Sequence, residues 1–408
     1  MPRKAQGASL FRVPPCRQAA LSATGSMPVT VAAAPTYLYS DADRKNEDRG
    51  GKAKVNPTRF HWKGLEQVAA QVLSRAGVRG EDAQLVARSL VHADLRGVES
   101  HGLSRLPIYV QRIEAGLIEL TQPPALVVRQ GATALIDGKN QLGVVVGVAA
   151  LDEAKQLARQ HGIGLAGVRH SNHFGSCSYY AEQAVDEGLI LLVLSNAPAS
   201  MAPTGGIVPF FGTNPIAIGI PAGEQPPFLL DMATSVAARG KIALAAKKGS
   251  AIPEDWAIDA DGLPTHDPTK ALLGSLLPIG GAKGYGLAMF IDIVCGLLTG
   301  AAVGPGVKSL YDNWQDPQDI GHVFLCIDVQ RFLPLDAFRQ SMDAYIRQVK
   351  NVPTAPGVAE ILIPGEIEQR IMTARKQDGI PFPQTVVEEL AKLCSAYGID
   401  LAQAVCTA

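Results

Sequence analysis

Glu99-Ser100-His101-Gly102-Leu103-Ser104-Arg105 sets a histidine four residues before an arginine, and Tyr109 follows one helical turn later. Those types at that spacing suit reduction of a 2-oxo acid, which needs a proton for the developing alkoxide and a cation for the carboxylate. Histidine serves the first because its ordinary pKa lies near neutrality. Arginine serves the second through its forked donors. The pattern predicts a helix over Arg105–Ala115, with Ser104 as N-cap, Pro107 in the tolerant first turn and Gly116 ending it. A cation in that first turn opposes the helix dipole, and a bound carboxylate would reverse the cost. A surface histidine, with Arg105 paired to Glu99, fits the same residues.

Four further runs carry polar groups at turns. Arg169-His170-Ser171-Asn172-His173-Phe174-Gly175-Ser176 lies where a predicted strand (Gly164–Val168) meets a predicted helix (Phe174–Glu187), the usual place for ligand groups in an α/β fold. Two histidines with no acid between them are too few ligands for zinc, and no metal site is expected. In Pro209–Pro215, Thr213 and Asn214 can offer hydrogen bonds to a ligand, although a structural turn explains the run better. Leu229-Leu230-Asp231-Met232-Ala233-Thr234 is an apolar strand ending on an acid, which can receive a ribose hydroxyl or equally cap the next helix. Gly280-Gly281-Ala282-Lys283-Gly284-Tyr285-Gly286 precedes a long apolar helix. Backbone N–H groups and a lysine there have the parts of a phosphate cradle, without the Walker A pattern of nucleotide hydrolysis.

Gly162-Ile163-Gly164-Leu165-Ala166-Gly167 matches G-x-G-x-x-G, but it follows a predicted helix and enters a predicted strand. A dinucleotide fingerprint requires the reverse order. A helix cap and a small-residue strand account for it, so any nicotinamide cofactor is held in a non-Rossmann manner.

The elements that must position these groups alternate. Helices are predicted near Leu65–Leu73, over Glu81–Arg96, Val144–His161, Ser235–Lys247, Lys283–Leu298, Phe338–Lys350 and Pro383–Tyr397. Strands are predicted at Leu189–Ser195, Ile216–Ile220, Phe228–Leu230 and Val323–Val329. Alternation of this kind indicates a layered α/β fold. A net charge of −1 argues against nucleic acid or an anionic membrane as partner. The apolar stretch Tyr285–Thr299 contains Asp292 and is too short to span a bilayer. Six cysteines form no CxxC pair, which points to reduced thiols and a cytoplasmic setting. Residues 1–57 read as a disordered extension. Their early basic residues and lack of acids before Asp41 also fit an organelle transit peptide, and Met27 is an alternative start.

Together the runs ESHGLSRLPIYV (99–110), HSNHFG (170–175), FFGTNPIAIGIP (210–221), LLDMATS (229–235) and LLPIGGAKGYGLAM (276–289) resemble the malate/L-lactate dehydrogenase-type family of NAD(P)-dependent oxidoreductases. That family is distinct from the Rossmann-fold malate and lactate dehydrogenases. The resemblance runs from Phe60 to Leu393. It implies a three-layer α/β fold on a mixed sheet of seven strands, with flanking N- and C-terminal helical segments, in a homodimer or larger assembly. By position it implies His101 as proton donor with Ser100 as its relay, and Arg105, Tyr109 and Thr213 around the substrate. His173 falls where some members place the acid/base or a nicotinamide contact. Cofactor contact is implied for His173, Phe174, Gly175, Ser176 and Cys177, for Asp231, Met232 and Ala233, for Gly281 and Lys283, and for the turn Pro364-Gly365-Glu366.

The implied activity is hydride transfer between NADH or NADPH and a small 2-oxo acid. A cyclic imine carboxylate or a ureido acid is the alternative substrate, and a non-catalytic nucleotide-binding protein the second alternative. Lys241 occupies the position where the imine-reducing branch carries an aspartate, which speaks against an imine. The reading divides the chain into the extension, a helical segment over 58–135 with part of the substrate site, a cofactor-binding core over 136–330 and a returning helical segment over 331–408.

Overall fold

A computed structural model describes residues 58–406, so the expectations for residues 1–57 lie outside the described residues. The first helix, α1 (Trp62–Arg75), buries Leu65, Val68, Ala69, Val72 and Leu73, the apolar row that its spacing predicts. Helix α2 (Gly80–Leu95) packs against it, and α3 (Leu106–Glu114) follows after two short 3₁₀ turns, Glu99–His101 and Leu103–Arg105.

Seven strands then build one mixed sheet: β1 (Ala125–Gln130), β2 (Thr133–Asp137), β3 (Ile163–Ser171), β4 (Leu189–Ser195), β5 (Ile216–Ile220), β6 (Phe228–Met232) and β7 (Ile320–Asp328). Their spatial order is β1-β2-β3-β7-β4-β5-β6. Only β2 and β3 run parallel; every other pair is antiparallel. The central strand is thus the last in sequence, inserted between β3 and β4. That pattern is unlike a doubly wound parallel sheet.

Helices α4 (Gly143–His161) and α5 (Ser178–Asp186) cover one face. The other face carries α8 (Ala282–Asp292), which runs on through one π-turn, Ile293–Leu297. Two smaller helices, α6 (Arg239–Lys248) and α7 (Pro268–Leu273), precede α8. Three C-terminal helices, α9 (Leu335–Lys350), α10 (Glu366–Asp378) and α11 (Gln384–Ala396), complete the chain. Here α10 packs on α2 and α11 on α1 and α3. The main apolar core joins the helical segments to the sheet from Phe60 to Ala404, and two smaller clusters lie around α8 and its π-turn.

The glycines of the G-x-G-x-x-G run are explained by this packing. Gly162 ends α4 in the left-handed conformation, φ +88°, with its N–H on Ala158 O. A Cβ on Gly164 would strike the α4 backbone, and one on Gly167 would press on Thr299 beyond the opposite face.

Several boundaries shift. The helix predicted from Phe174 begins at Ser178, because residues 172–177 run as loop across the end of the sheet. The helix predicted from Ser235 begins at Arg239, and the one predicted from Arg105 begins at Leu106. The hairpin β1–β2 was not predicted: Leu126, Val127 and Val128 are consecutive and all half-exposed on an edge strand, so alternation is missing. Helix α10 was not predicted either, since only Glu366 and Met372 are buried along it.

Candidate active site

Loop 99–105 leaves α2 and turns back into α3. Ser104 does not cap α3; its hydroxyl donates to Glu99 O at 2.8 Å and tightens the loop on itself. Arg105 occupies the cap position, with Nε donating to Ser100 O at 2.5 Å and its guanidinium 5.2 Å from the Tyr311 ring. Glu99 is not its partner: that carboxylate accepts from Arg375 at 2.6 Å. The two terminal guanidinium nitrogens of Arg105 have no hydrogen-bond partner among the described residues.

Ser100 Oγ lies 2.9 Å from His101 Nδ1, which leaves Nε2 for a substrate. The His101 ring stacks on that of His173 with centroids 5.5 Å apart. Tyr109 Oη, from α3, lies 2.6 Å from His173 Nδ1. Burial raises the Tyr109 pKa, so the phenol keeps its proton. Donating it to Nδ1 puts the His173 proton on Nε2. His173 is therefore joined to the loop of His101 by the ring stack and to α3 by Tyr109.

Burial and the neighbouring Arg105 push the His101 pKa down to about 4, against a raising influence from Asp231. His173 is also lowered, by burial and then by His101 and Arg105. Both imidazoles are neutral at pH 7. Histidine's ordinary pKa lies near neutrality; burial and then the neighbouring guanidinium take His101 away from it. Arg105 itself is lowered by burial, which leaves a cation poorly solvated and suited to an anionic guest.

The 170–177 loop carries the site onward. His173 N–H donates to Gln318 Oε1 at 3.0 Å. Phe174 stacks on His322 at 4.0 Å, and His322 bridges Ser171 and Ser195 at 2.9 Å each. His322 is fully buried and pushed down to about 3 by burial, so it is a neutral strut beneath the loop. Asn172 bonds Asn140 and Gln141. His170, at φ +52°, turns away to Asp137 at 3.2 Å and leaves His173 alone with His101.

Ser176 Oγ and Ser178 N–H both donate to Asp231 Oδ2, at 2.9 and 2.7 Å. Asp231 therefore caps α5, not the helix that follows it in sequence, and its Oδ1 stays available at an exposed strand end. Thr213 O accepts from Thr234 N and Oγ1, so Thr213, Met232 and Ala233 gather around the same strand ends. Asn214 is structural: its amide is fully buried and spans Ala197 N and Ala288 O. Leu229 N–H donates to Pro364 O, and a Cβ on Gly365 would press on Leu229, which seats the Pro364–Glu366 turn against β6. Glu366 is held by Lys350, Arg370 and Ile363 N, so its carboxylate orders that turn.

Thr234 O accepts from Ile279 N at 2.9 Å and thereby ties this cluster to the glycine loop. Gly280 and Gly281 have φ of +60° and +64°, and no heavy atom lies within 4 Å of an ideal Cβ on either. Gly281 heads the eleven-residue helix α8, and Lys283 is exposed in its first turn. The Gly281 N–H is taken by Pro278 O, but positive-φ backbone, open space, a helix N-terminus and a cation fit a phosphate or pyrophosphate. The residues present thus fit a group that carries phosphate.

Sequence reasoning missed Asp94, Tyr311, Gln318, His322 and Arg375. Only Asp94 left a signal, an acid within the apolar run Leu90–Leu95. The others reach the site from distant loops, a central strand and a weakly patterned helix.

Residues 60–391 match the sequence model of a family described as malate/L-lactate dehydrogenase. A malate dehydrogenase of Pyrococcus horikoshii is 41% identical over 339 residues, covering 81% of this chain and 93% of that protein. The solved sulfolactate dehydrogenase of Methanocaldococcus jannaschii superposes with a TM-score of 0.80 at 39% identity, covering 85% of this chain and 99% of that one. The solved malate dehydrogenase of Entamoeba histolytica gives 0.80 at 31% identity, covering 84% and 99%.

Proposed function

The chain belongs to the malate/L-lactate dehydrogenase family, and from that premise we propose that it interconverts a small 2-oxo acid and its 2-hydroxy acid with NAD or NADP. The observation that carries the reading is that His101 and Tyr109 meet His173, that Ser176 of the same loop as His173 meets Asp231, and that Thr234, three residues past Asp231, meets Ile279 beside the glycine loop. The proton-exchanging group and the carboxylate ligand lie at one end of that succession and the phosphate cradle at the other.

The bound nicotinamide would supply or accept the hydride. Everything else falls to this chain. Arg105 fixes the substrate carboxylate through its free donors. His101, neutral at pH 7, takes the hydroxyl proton at Nε2 as a 2-hydroxy acid is oxidised, with Ser100 steadying Nδ1. A carboxylate on Arg105 offsets the charge that depresses His101, so its basicity rises when substrate binds and the proton can be returned in the reverse direction. His173, oriented by Tyr109, lies beside the reacting centre, and Thr213 serves as a further substrate contact.

The imine alternative lacks support from Lys241, which is exposed on α6 where an acidic relay would be needed. A homodimer or larger assembly is supported by the row Met289, Phe290, Ile293, Leu297 and Leu298, each 41–66% exposed on α8 and its π-turn. A cytoplasmic setting is supported by the unpaired cysteines among the described residues. Among those residues no helix is long and apolar enough to cross a membrane.

The test is nicotinamide absorbance change with the purified chain and both cofactors, against oxaloacetate, pyruvate, sulfopyruvate, 2-oxopantoate, Δ1-piperideine-2-carboxylate and ureidoglycolate. Turnover of 2-oxo acids above the last two is expected. Turnover of the imine alone would replace the reading, and cofactor binding without any turnover would favour the non-catalytic alternative.

A further inference from the structure

Asp94 lies on the last turn of α2, directly under the loop that carries Ser100, His101 and Arg105. Its side chain is buried, and Oδ2 accepts the Leu103 N–H at 2.8 Å. Oδ1 has no partner. Gly102 rests against the carboxyl so closely that a Cβ there would fall on it. The backbone on both sides is held too: Arg375 of α10 donates to Asp94 O at 2.5 Å and to Glu99 Oε1 at 2.6 Å. The loop is therefore clasped from beneath by one carboxyl and from the side by one guanidinium.

We propose that Asp94 is a positioning residue for the reaction, setting through the Gly102–Leu103 peptide where His101 and Arg105 stand, and that it does so in its uncharged form. The inference rests on the functional reading above and goes beyond it by naming what places the reacting groups. An ionised Asp94 would leave charge on an oxygen with no donor, pressed against backbone. Glu99 from the loop adds like charge and Arg375 from α10 opposes it. On its own helix, His92 and Arg96 are engaged with Glu182 of α5; His101 and Arg105 belong to the loop itself. Burial outweighs the rest and pushes the carboxyl up to about 8. Ionisation above that pH sets an unpaired charge under the loop and releases it.

Hydrogen exchange at the Leu103 amide and 2-hydroxy acid oxidation kinetics, both on the full chain, test this. Oxidation is the suitable direction because His101 stays neutral throughout the alkaline range. Asp94→Asn is isosteric and cannot ionise. It should keep kcat within about threefold at pH 7 and remain level to pH 9.5, where wild type falls. At pH 9, Leu103 protection in wild type should be about tenfold below that in Asp94→Asn, and the two should agree at pH 7. Asp94→Ala should lose about tenfold in kcat with NADH affinity unchanged. If it does not fold, Asp94→Asn carries the test alone. Equal protection and equal kinetic pH profiles in wild type and Asp94→Asn overturn the inference, as does Asp94→Ala with wild-type kcat. The functional reading fails separately: wild type then turns over no substrate while the exchange difference persists.

Discussion

The two ends of the contact run are built on opposite plans. At the His101 end Gly102 and Leu103 are buried, and the loop is cross-tied by side chains and pinned by Asp94 of the preceding helix and Arg375 of distant α10. At the Gly281 end the backbone lies open, two glycines adopt left-handed conformations, and no side chain lies close to where a Cβ would project. Proton transfer and carboxylate fixation require particular side-chain atoms held to a fraction of an ångström. A phosphate requires N–H groups, room and positive charge, which backbone provides if nothing crowds it. Glycine serves both ends for different reasons: Gly102 yields space to a carboxyl below it, and Gly280 and Gly281 yield space to a ligand above.

The sharpest way to break this contrast is His101→Ala. It should lower kcat by about 10²–10⁴-fold with cofactor affinity retained, since positioned proton transfer contributes that much. A near wild-type rate would move the proton role to His173.

Gly102→Ala and Gly281→Ala form the next comparison. The first drives a methyl into Asp94 and should cost about 3 kcal/mol or displace the loop, seen as a lower melting temperature with lost kcat. The second meets nothing and should cost only about 1 kcal/mol for its positive φ, with the KM for cofactor rising instead. Combining Gly102→Ala with Asp94→Ala should recover part of the loss. Equal effects at the two glycines would erase the distinction between the ends.

Arg105→Lys should act mainly on substrate KM, by about tenfold, because a point charge replaces a fork. Lys283→Ala should raise only the cofactor KM, several-fold, with a salt-dependent effect because the lysine is exposed.

Stability against pH tests the buried carboxyl directly. The folded Asp94 pKa of about 8 lies above its ordinary 3.8, so between these values the folded chain binds the extra proton. Its contribution is greatest at low pH and is lost as pH rises toward 8. Asp94→Asn should therefore melt no lower than wild type at pH 5 and measurably higher at pH 9. A lower melting temperature at both would mean the carboxyl is needed charged.

Much of the fold was legible. Leu65–Leu73, Val144–His161 and Leu189–Ser195 show period and length together, and their elements formed with small boundary shifts. The hairpin β1–β2 and helix α10 did not, because one lies on an edge with apolar residues on both faces and the other buries too little to leave a stripe. The candidate site was legible as separate runs; that His101 and Tyr109 meet His173 and that Asp231 meets Ser176 and Ser178 was not, because those contacts join segments distant in sequence.

Sequence by itself determined which chemistry-bearing types exist and which turn each occupies, since capping, glycine conformation and periodicity are local. It also determined that Gly162–Gly167 cannot cradle a dinucleotide, because that depends only on the order of helix and strand. Tertiary structure alone decided that His101 is neutral and Asp94 protonated, that Asp231 caps α5, and that His322 and Arg375 support loops far from them in sequence. Desolvation and the charge of neighbours set a protonation state, and both exist only once distant segments pack together.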